Sequence, residues 1–340
     1  MIIRSKAPLR IGLAGGGTDV APYSEIYGGA ILNATISMYS YATLQPRNDG
    51  KIIFHAADKK EYYEMNSDEF LEINGKLDLH KGIYNRIVKK FTHKPLSFEL
   101  TTYVDAPPGS GLGTSSTLVV AILGAFTEWL HLPLGEYDIA KLAYEIERVD
   151  LKMAGGKQDQ YAATFGGVNF MEFYNSDKVI VNPLRIKETY LDELERNLVL
   201  YYTETSRLSS KIIEAEIKNV KQKNATSINA MHKLKEQAIL MKEAILKGEL
   251  DTIGKILDFG WQYKKQMAEE ITNPFIDQIY ETAIAAGATG GKISGAGGGG
   301  FMFFYCPGIT RFAVIDALNK FGGQSKRYEF VSNGLTTWTI

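Results

Sequence analysis

Three glycine-rich segments carry the residue types best suited to bind a small charged molecule. They read AGGGTD at 14–19, PPGSGLGTSS at 107–116 and GGKISGAGGGG at 290–300. Together they hold 13 of the 33 glycines of the chain, whereas ordinary loops use glycine singly. Because glycine has no Cβ atom, this clustering predicts backbone that must approach something closely.

The middle segment has the pattern of an anion site. It follows a strand-like run at 96–104 and leads into an apolar helical pattern at 116–131. A glycine-rich turn before a helix directs several N–H groups and the positive end of the helix dipole at one spot, where phosphate is the first candidate. A flexible turn followed by a Ser/Thr helix cap is the alternative interpretation. Four hydroxyl groups could donate hydrogen bonds or bind Mg²⁺ here, those of Ser110, Thr114, Ser115 and Ser116.

Several other kinds of chemistry lack their motifs. The sequences GxxxxGK[ST] and GxSxG do not occur, and the GxGxxG at 295–300 precedes a strand-like run, where a dinucleotide fold needs a helix. The five histidines show no metal-ligand spacing. Cys306 is the only cysteine, which excludes an internal disulfide and is typical of a reducing compartment.

Charge and hydropathy exclude two classes of partner. A net charge of −1 provides no basic field for nucleic acid or for an anionic membrane. The longest apolar run, 117–126, is much shorter than the roughly 20 residues of a membrane-spanning helix. The N-terminus lacks a signal-peptide pattern. We therefore expect a cytoplasmic protein whose partners are small molecules, and homodimer formation is left open.

The elements that must position these loops change character along the chain. Short strand-like runs mixed with helical patterns make up the front part, and amphipathic helical patterns follow from about residue 206. With 340 residues, the chain exceeds the size at which a single core usually stops growing. We therefore predict an α+β protein with one domain at 1–190 and a second at 191–340. Strands are predicted at 2–11, 40–45, 51–56, 96–104, 168–173, 301–306, 327–331 and 335–340. Helices are predicted at 81–91, 116–131, 135–151, 206–223, 227–247, 250–270 and 274–287.

The three glycine-rich segments, in this order, resemble the motifs of the GHMP kinases, the family of galactokinase, homoserine kinase and mevalonate kinase. PPGSGLGTSS resembles the phosphate loop of that family, KAPLRIGLAGGGTD its N-terminal motif and KISGAGGGGFM its C-terminal motif. The resemblance implies a two-domain fold, with an N-terminal α/β domain related to a ribosomal-protein fold and a ferredoxin-like C-terminal domain. It also implies phosphoryl transfer from ATP, with Mg²⁺, to a small molecule.

Within the family, the first motif narrows the substrate. Galactokinases carry Glu and His where this chain has Gly16 and Gly17. AGGGTD, together with GGKQDQYAATFGG at 155–167, resembles the subgroup that phosphorylates D-glycero-D-manno-heptose 7-phosphate at its anomeric hydroxyl, giving the 1,7-bisphosphate. A fucokinase-like or galactokinase-like activity is the alternative within the family. A catalytically silent sensor that binds ATP and sugar is the alternative from another class.

The resemblance also implies roles for individual residues around the phosphate loop. Asp159 matches the catalytic aspartate and would act as general base toward the sugar hydroxyl, or orient it. Arg10 matches a basic residue of the first motif and would stabilise developing charge. Ser115 and Glu147 match the Mg²⁺ ligands, with Thr114 as the rival of Ser115. The ATP phosphates would be bound by Pro108, Gly109, Ser110, Gly111, Leu112, Gly113, Thr114, Ser115 and Ser116.

A second set of residues is predicted to bind the sugar phosphate. Asp19 matches the sugar-binding aspartate of the family. Lys157, close to the proposed base, and Arg207, at the beginning of the first C-terminal helix, would bind the phosphate group of the sugar. For Arg207, ordinary charge on an amphipathic helix is the alternative. The full predicted set is Gly16, Gly17, Thr18, Asp19, Lys157, Arg207, Gly297 and Gly298.

Overall fold

A computed structural model describes residues 1–205 and 209–340 of the chain. Within these residues the helices are α1 (Tyr23–Tyr27), α2 (Asp78–Ile87), α3 (Thr114–Leu130), α4 (Glu136–Glu145), α5 (Gln158–Phe165), α6 (Glu188–Asn197), α7 (Ser209–Lys221), α8 (Ala225–Lys247), α9 (Ile253–Lys264), α10 (Pro274–Ala285) and α11 (Arg311–Leu318). The strands are β1 (Ile3–Ala14), β2 (Gly29–Pro46), β3 (Lys51–Ala56), β4 (Glu61–Asn66), β5 (Phe98–Val104), β6 (Val168–Phe173), β7 (Val179–Pro183), β8 (Leu198–Tyr202), β9 (Gly290–Ile293), β10 (Phe301–Tyr305), β11 (Gln324–Lys326) and β12 (Thr336–Thr339).

The larger sheet is organised around the two long strands β1 and β2. They pair antiparallel, and the strand order is β12-β1-β2-β5-β3-β4. Strands β6 and β7 extend the sheet from the other end of β2, which is long enough, at 18 residues, to pair with both β5 and β6. The C-terminal strand β12 pairs with β1, so the end of the chain returns to this sheet.

Helix α3 forms the centre of the core beside this sheet. Leucine, valine, isoleucine and alanine occur on all sides of it, and 12 of its 17 residues are buried. A helix that is apolar all round is stable only inside a protein. Because α3 packs on β1 and β2 and begins at Thr114, the glycine-rich segment in front of it is held over a rigid support.

The smaller sheet has the antiparallel order β11-β8-β10-β9. Along the chain its strands and helices follow one another as strand β8, helices α7 to α10, strands β9 and β10, helix α11 and strand β11. This is the split β-α-β-β-α-β arrangement of ferredoxin-like domains, with extra helices in the first crossover. A second hydrophobic core lies between this sheet and its helices, with the fully buried Trp261 at its centre.

The predicted α+β organisation is confirmed, and the missed elements are short ones. Helices α1, α5, α6 and α11 and strands β4, β7, β8, β9 and β11 have three to ten residues each, too few for a periodic pattern to stand out. Of the 18-residue strand β2, only residues 40–45 were predicted. The predicted strand at 327–331 forms only a single bridge, between Phe330 and Ile36. The domain boundary at 190/191 stays a prediction and falls within α6. Among the described residues, no helix is long and apolar enough to span a membrane.

Candidate active site

A cleft of about 530 Å³ is lined by residues of all three glycine-rich segments and by residues of helices that pack on the larger and on the smaller sheet. Its walls include the loop after β1, the segment before α3, the beginning of α5, and side chains of α7 and α9. Of the predicted site residues, the following line it: Arg10, Gly17, Asp19, Pro108, Gly109, Gly111, Gly113, Thr114, Ser115, Ser116, Glu147 and Asp159.

The segment before α3 has the geometry of a phosphate loop. Gly109, Gly111 and Gly113 all have positive φ, which turns the chain tightly before the first N–H groups of α3. Ser115 is exposed on the cleft wall. Ser110 and Leu112, by contrast, are fully buried and do not line the cleft, so they anchor the loop to the protein.

The third glycine-rich segment packs directly against this loop. Gly300 has φ +89°, and a Cβ atom there would lie only 2.4 Å from the Ser110 carbonyl oxygen. The Phe301 N–H donates to that same carbonyl at 2.8 Å, and the Ser294 hydroxyl donates to the Gly111 carbonyl at 2.8 Å. The third segment therefore supports the phosphate loop from behind, and its glycines allow the two backbones to touch.

Gly297 and Gly298, which we predicted to bind substrate, lie away from the cleft lining. Both are buried, and the Gly298 N–H donates to the Ile271 carbonyl oxygen at 2.9 Å. In this segment the residues that face the cleft are Gly295 and Ala296.

Arg10 and Asp159 form an ion pair at the end of the phosphate loop. The Arg10 side chain is 4% exposed, and its Nε and Nη2 atoms lie 2.7 and 2.6 Å from Asp159 Oδ1. Arg10 Nη1 also donates to the Gly111 carbonyl at 2.6 Å. The Asp159 carboxylate keeps 22% exposure and stands against Gly113, where a Cβ atom would be 3.2 Å from Oδ2. A partly exposed carboxylate is thus held where the loop meets α3.

Asp19 fixes the helix that carries Asp159. Its Oδ2 accepts the N–H groups of Lys157 and Gln158 at 2.7 and 2.9 Å, which caps the first turn of α5. Its Oδ1 is buried and has no hydrogen-bond partner among the described residues. Burial raises the pKa of Asp19, with the nearby charge of Asp159 acting in the same direction. Asp19 therefore combines a structural contact with an acceptor atom left for a ligand.

Thr18 and Gly16, which precede Asp19 in the first glycine-rich segment, make contacts of different kinds. The Thr18 hydroxyl has the carbonyl oxygens of Gly15 and Ala30 within donating distance and accepts from the Ala30 N–H, all at 2.8–3.1 Å. Thr18 is thus a buried structural residue of this loop. The Gly16 carbonyl accepts a long hydrogen bond, 3.4 Å, from Lys264.

Glu147 offers the oxygen expected of a magnesium ligand. Its side chain is fully buried, and its Oε1 has no hydrogen-bond partner among the described residues, although Arg148 Nη1 lies 3.8 Å away. Gln160 donates to its other carboxylate oxygen and to the Ser116 hydroxyl, so the carboxylate is oriented beside the phosphate loop. Mg²⁺ commonly takes one or two carboxylates, a hydroxyl and substrate phosphates as ligands, and Glu147 with Ser115 fits that set.

Of the two predicted cations for the sugar phosphate, Lys157 does not line the cleft. Lys157 is buried, and its ammonium group pairs with Asp177 at 2.7 Å and lies over the Tyr144 ring. Arg207 lies outside the described residues.

Three buried charged residues near the cleft were missed by sequence reasoning. Glu216 of α7 and Lys264 of α9 form an ion pair, 2.9 Å between Oε1 and Nζ, and both line the cleft. Their helices are amphipathic, so nothing in the sequence separates them from solvated charges. Lys292 donates to the Gly12 carbonyl at 2.8 Å. Its position between glycines in the third segment was a usable signal.

Comparison with known proteins agrees with this geometry. The sequence profile "GHMP kinases N terminal domain" matches residues 78–167, and "GHMP kinases C terminal" matches residues 241–324. A D-glycero-alpha-D-manno-heptose 7-phosphate kinase of Campylobacter jejuni is 55% identical to the chain, and the match covers 99% of each. The resemblance inferred from the glycine-rich motifs is confirmed.

Solved structures of similar proteins agree with the sequence comparison. A D-glycero-D-manno-heptose 1-phosphate kinase from Bacteroides thetaiotaomicron superposes with a TM-score of 0.86 at 48% identity, covering 99% of both chains. A galactokinase of Lactococcus lactis, crystallised with galactose, has a TM-score of 0.78 at 19% identity and covers 98% of this chain and 95% of its own. The galactokinase likeness concerns the fold alone. The predicted two-domain fold is confirmed.

We predict that Gly300→Ala loosens the phosphate loop. The new methyl group collides with the Ser110 carbonyl and stands on a backbone of positive φ, so the free energy of unfolding should fall by about 2–4 kcal/mol. Gly308→Ala is the matched control, because Gly308 has φ +61° and nothing lies within 4 Å of its Cβ position. The control should lose only about 1 kcal/mol in urea unfolding. Equal losses in both variants would show that the loop contact is unimportant.

We also predict a pH dependence of stability that belongs to Lys292. Burial, aided by the charges of Lys264 and Arg10, lowers the pKa of Lys292 from 10.5 to about 7. Between these values the unfolded chain holds a proton that the folded chain lacks, so this group makes stability rise with pH. The unfolding free energy of the wild type minus that of Lys292→Met should increase by about 1.4 kcal/mol per pH unit above neutrality. A difference that stays flat between about pH 7 and pH 9 in urea titrations would contradict the assignment.

Proposed function

The chain belongs to the GHMP kinase family, and we propose that it transfers the γ-phosphoryl group of ATP to the anomeric hydroxyl of D-glycero-D-manno-heptose 7-phosphate. The product is the 1,7-bisphosphate. The observation that carries the proposal is the Asp159 carboxylate, held by Arg10 at the point where the phosphate loop meets α3. The name of the 55% identical relative supports the choice of acceptor.

The chain's own groups divide the work of the reaction. The loop N–H groups and the beginning of α3 bind the phosphates of the nucleotide. Asp159 accepts the proton of the sugar hydroxyl as that oxygen attacks the γ-phosphorus, and Arg10 keeps the carboxylate aligned and offsets its charge. Arg148 and Lys152, which also line the cleft, add positive charge on this side. When bound by Glu147 and Ser115, Mg²⁺ would neutralise charge on the phosphates.

We propose that the nucleobase binds in a second cavity, of about 350 Å³. Met153 lines both this cavity and the main cleft, so the two are neighbours. Leu77, Leu118 and Leu151 line this second cavity and offer apolar contacts for a flat aromatic base, beside the polar side chains of Lys59, Glu61 and Asp78. Burial, with some help from Lys59, lowers the pKa of the adjacent His80 to about 3, so its ring is neutral there. We place the adenine of ATP in this cavity.

The names of two similar proteins differ in the position of the phosphate group. One relative is named for the 7-phosphate and the other for the 1-phosphate. Gly16 and Gly17 leave no Glu or His at the sugar end of the loop, which disfavours a galactokinase-like acceptor. The single cysteine and the ATP-dependent reaction favour the cytoplasm as its compartment.

We predict that a substrate panel will single out heptose 7-phosphate. The panel contains the heptose 7-phosphate, the heptose 1-phosphate, the unphosphorylated heptose, galactose and fucose, with ADP release as the readout. The 7-phosphate should show the highest kcat/KM, and phosphorus NMR should locate the new phosphate at the anomeric carbon. A higher kcat/KM with the 1-phosphate would show that the enzyme adds the 7-phosphate to a sugar that already carries the 1-phosphate. If none of the sugars in the panel supports ADP release, the proposal is refuted.

We predict that Asp159→Asn lowers kcat by about 10²–10⁴-fold, because the amide cannot accept the proton of the sugar hydroxyl. The KM for ATP should change little, since Asp159 does not belong to the phosphate loop. Asp177→Asn is the matched control: it breaks the ion pair with Lys157 at the start of the same helix but leaves the cleft untouched. Its kcat should stay close to that of the wild type. An unchanged kcat in Asp159→Asn would remove Asp159 from the mechanism.

A further inference from the structure

Lys264 and Glu216 form a buried ion pair that faces the acceptor end of the cleft. Lys264 is 3% exposed and Glu216 is 1% exposed, yet both line the cleft, with Gly17 and Asp19 beside them. The pair joins α7 and α9, so it belongs to the half of the molecule that lies across from the Arg10–Asp159 pair. Ion pairs buried this deeply are costly to desolvate, and a purely structural pair needs no access to a binding cleft.

Gly17 leaves this pair open to the cleft. A Cβ atom on residue 17 would lie 3.2 Å from Lys264 Nζ, 3.5 Å from Glu216 Oε2 and 2.6 Å from Met267 Cε. Any larger residue would therefore stand between the pair and the cleft. The lack of a side chain at residue 17 thus leaves these two charged groups, although almost fully buried, at the cleft wall.

Hydrogen-bond capacity remains on both members of the pair. An ammonium group has three N–H donors. Among the described residues, Lys264 Nζ reaches Glu216 Oε1 at 2.9 Å and the Gly16 carbonyl at the long distance of 3.4 Å. The Glu216 Oε2 atom points toward Gly17. A donor and an acceptor therefore lie side by side at the cleft wall.

The local charge favours a neutral ligand over an anionic one. The Lys264 cation is matched by Glu216, and the Asp19 carboxyl lies nearby. Burial raises the pKa of Glu216, and the charge of Asp19 acts in the same direction. A second phosphate group would meet two carboxyl groups here, whereas a sugar hydroxyl can accept from the ammonium and donate to the carboxylate.

We propose that the Lys264–Glu216 pair binds ring hydroxyl groups of the sugar and determines which sugar is accepted. The ligand class is a neutral polyol, most simply two neighbouring hydroxyls of one pyranose ring. This inference rests on the proposed sugar kinase function and deepens it. It assigns sugar recognition to a pair of side chains from the C-terminal helices, in addition to the loop that carries Asp19.

The test combines side-chain variants with monodeoxy sugars. Glu216→Gln keeps the size of the side chain, and Lys264→Arg keeps the charge. Each variant changes one member of the pair, so the test can still be made with the second variant if the first does not fold. Lys255→Arg, at an exposed lysine of the same helix, is the control. For each enzyme, kcat and KM are measured with the preferred sugar of the wild type and with its monodeoxy derivatives, and the KM for ATP is measured in parallel.

The inference predicts a specific pattern. With the wild-type enzyme, removal of at least one hydroxyl group from the sugar should lower kcat/KM by about tenfold or more, as expected for a lost hydrogen bond to a charged group. In Glu216→Gln and Lys264→Arg the same deletion should cost clearly less, while the KM for ATP stays near that of the wild type. Equal costs of every deletion in wild type and variants would overturn the inference and leave the kinase function standing. Failure of the wild type to phosphorylate any sugar would overturn both.

Discussion

The buried guanidinium group of Arg10 is the constraint on which the geometry of the site depends. An isolated charge in a protein interior costs several kcal/mol, so the fold must supply partners for it. The partners are the Asp159 carboxylate and the Gly111 carbonyl, which belong to α5 and to the phosphate loop. The contacts that stabilise the cation therefore also fix the distance between the proposed base and the loop. Asp19 completes the arrangement, because its carboxylate caps the helix that carries Asp159.

The glycine excess reflects contacts between loops as much as contacts with a ligand. The middle segment lines the cleft, and the third segment packs against it, with backbone against backbone at Gly300 and Ser110. Side chains at this contact would separate the two segments. Support from behind keeps the loop in one conformation before the nucleotide arrives, which lowers the entropy cost of binding. Gly17 has a different use from the glycines at loop contacts, since the lack of a side chain there leaves the Lys264–Glu216 pair at the cleft wall.

The glycine-rich turn before the apolar helix α3 could be predicted from spacing alone, and its use as a phosphate loop stays a prediction that rests on the N–H groups at the beginning of that helix. The proximity of Arg10 and Asp159, 149 positions apart, required the family resemblance. Neither the spacing of residues nor the family resemblance predicted the Lys264–Glu216 pair. Its burial arises from the packing of α7 and α9 against the first loop, and on each helix alone these residues resemble ordinary surface charges. Lys157 shows the opposite error: a cation near the proposed base in sequence pairs instead with Asp177.

The charges around the cleft differ between its two ends, and this difference suits phosphoryl transfer from an anionic donor to a neutral acceptor. Beside the phosphate loop, Lys152 and the beginning of α3 provide positive potential for the nucleotide, together with Arg148, whose Nη1 lies 3.8 Å from Glu147 Oε1. At the acceptor end, Arg10 and Lys264 each have a carboxylate at ion-pair distance. A base that is already paired with a cation adds little net negative charge beside the transferring phosphoryl group. The same pairing that stabilises the buried arginine therefore reduces the repulsion that an unpaired carboxylate would exert on the donor.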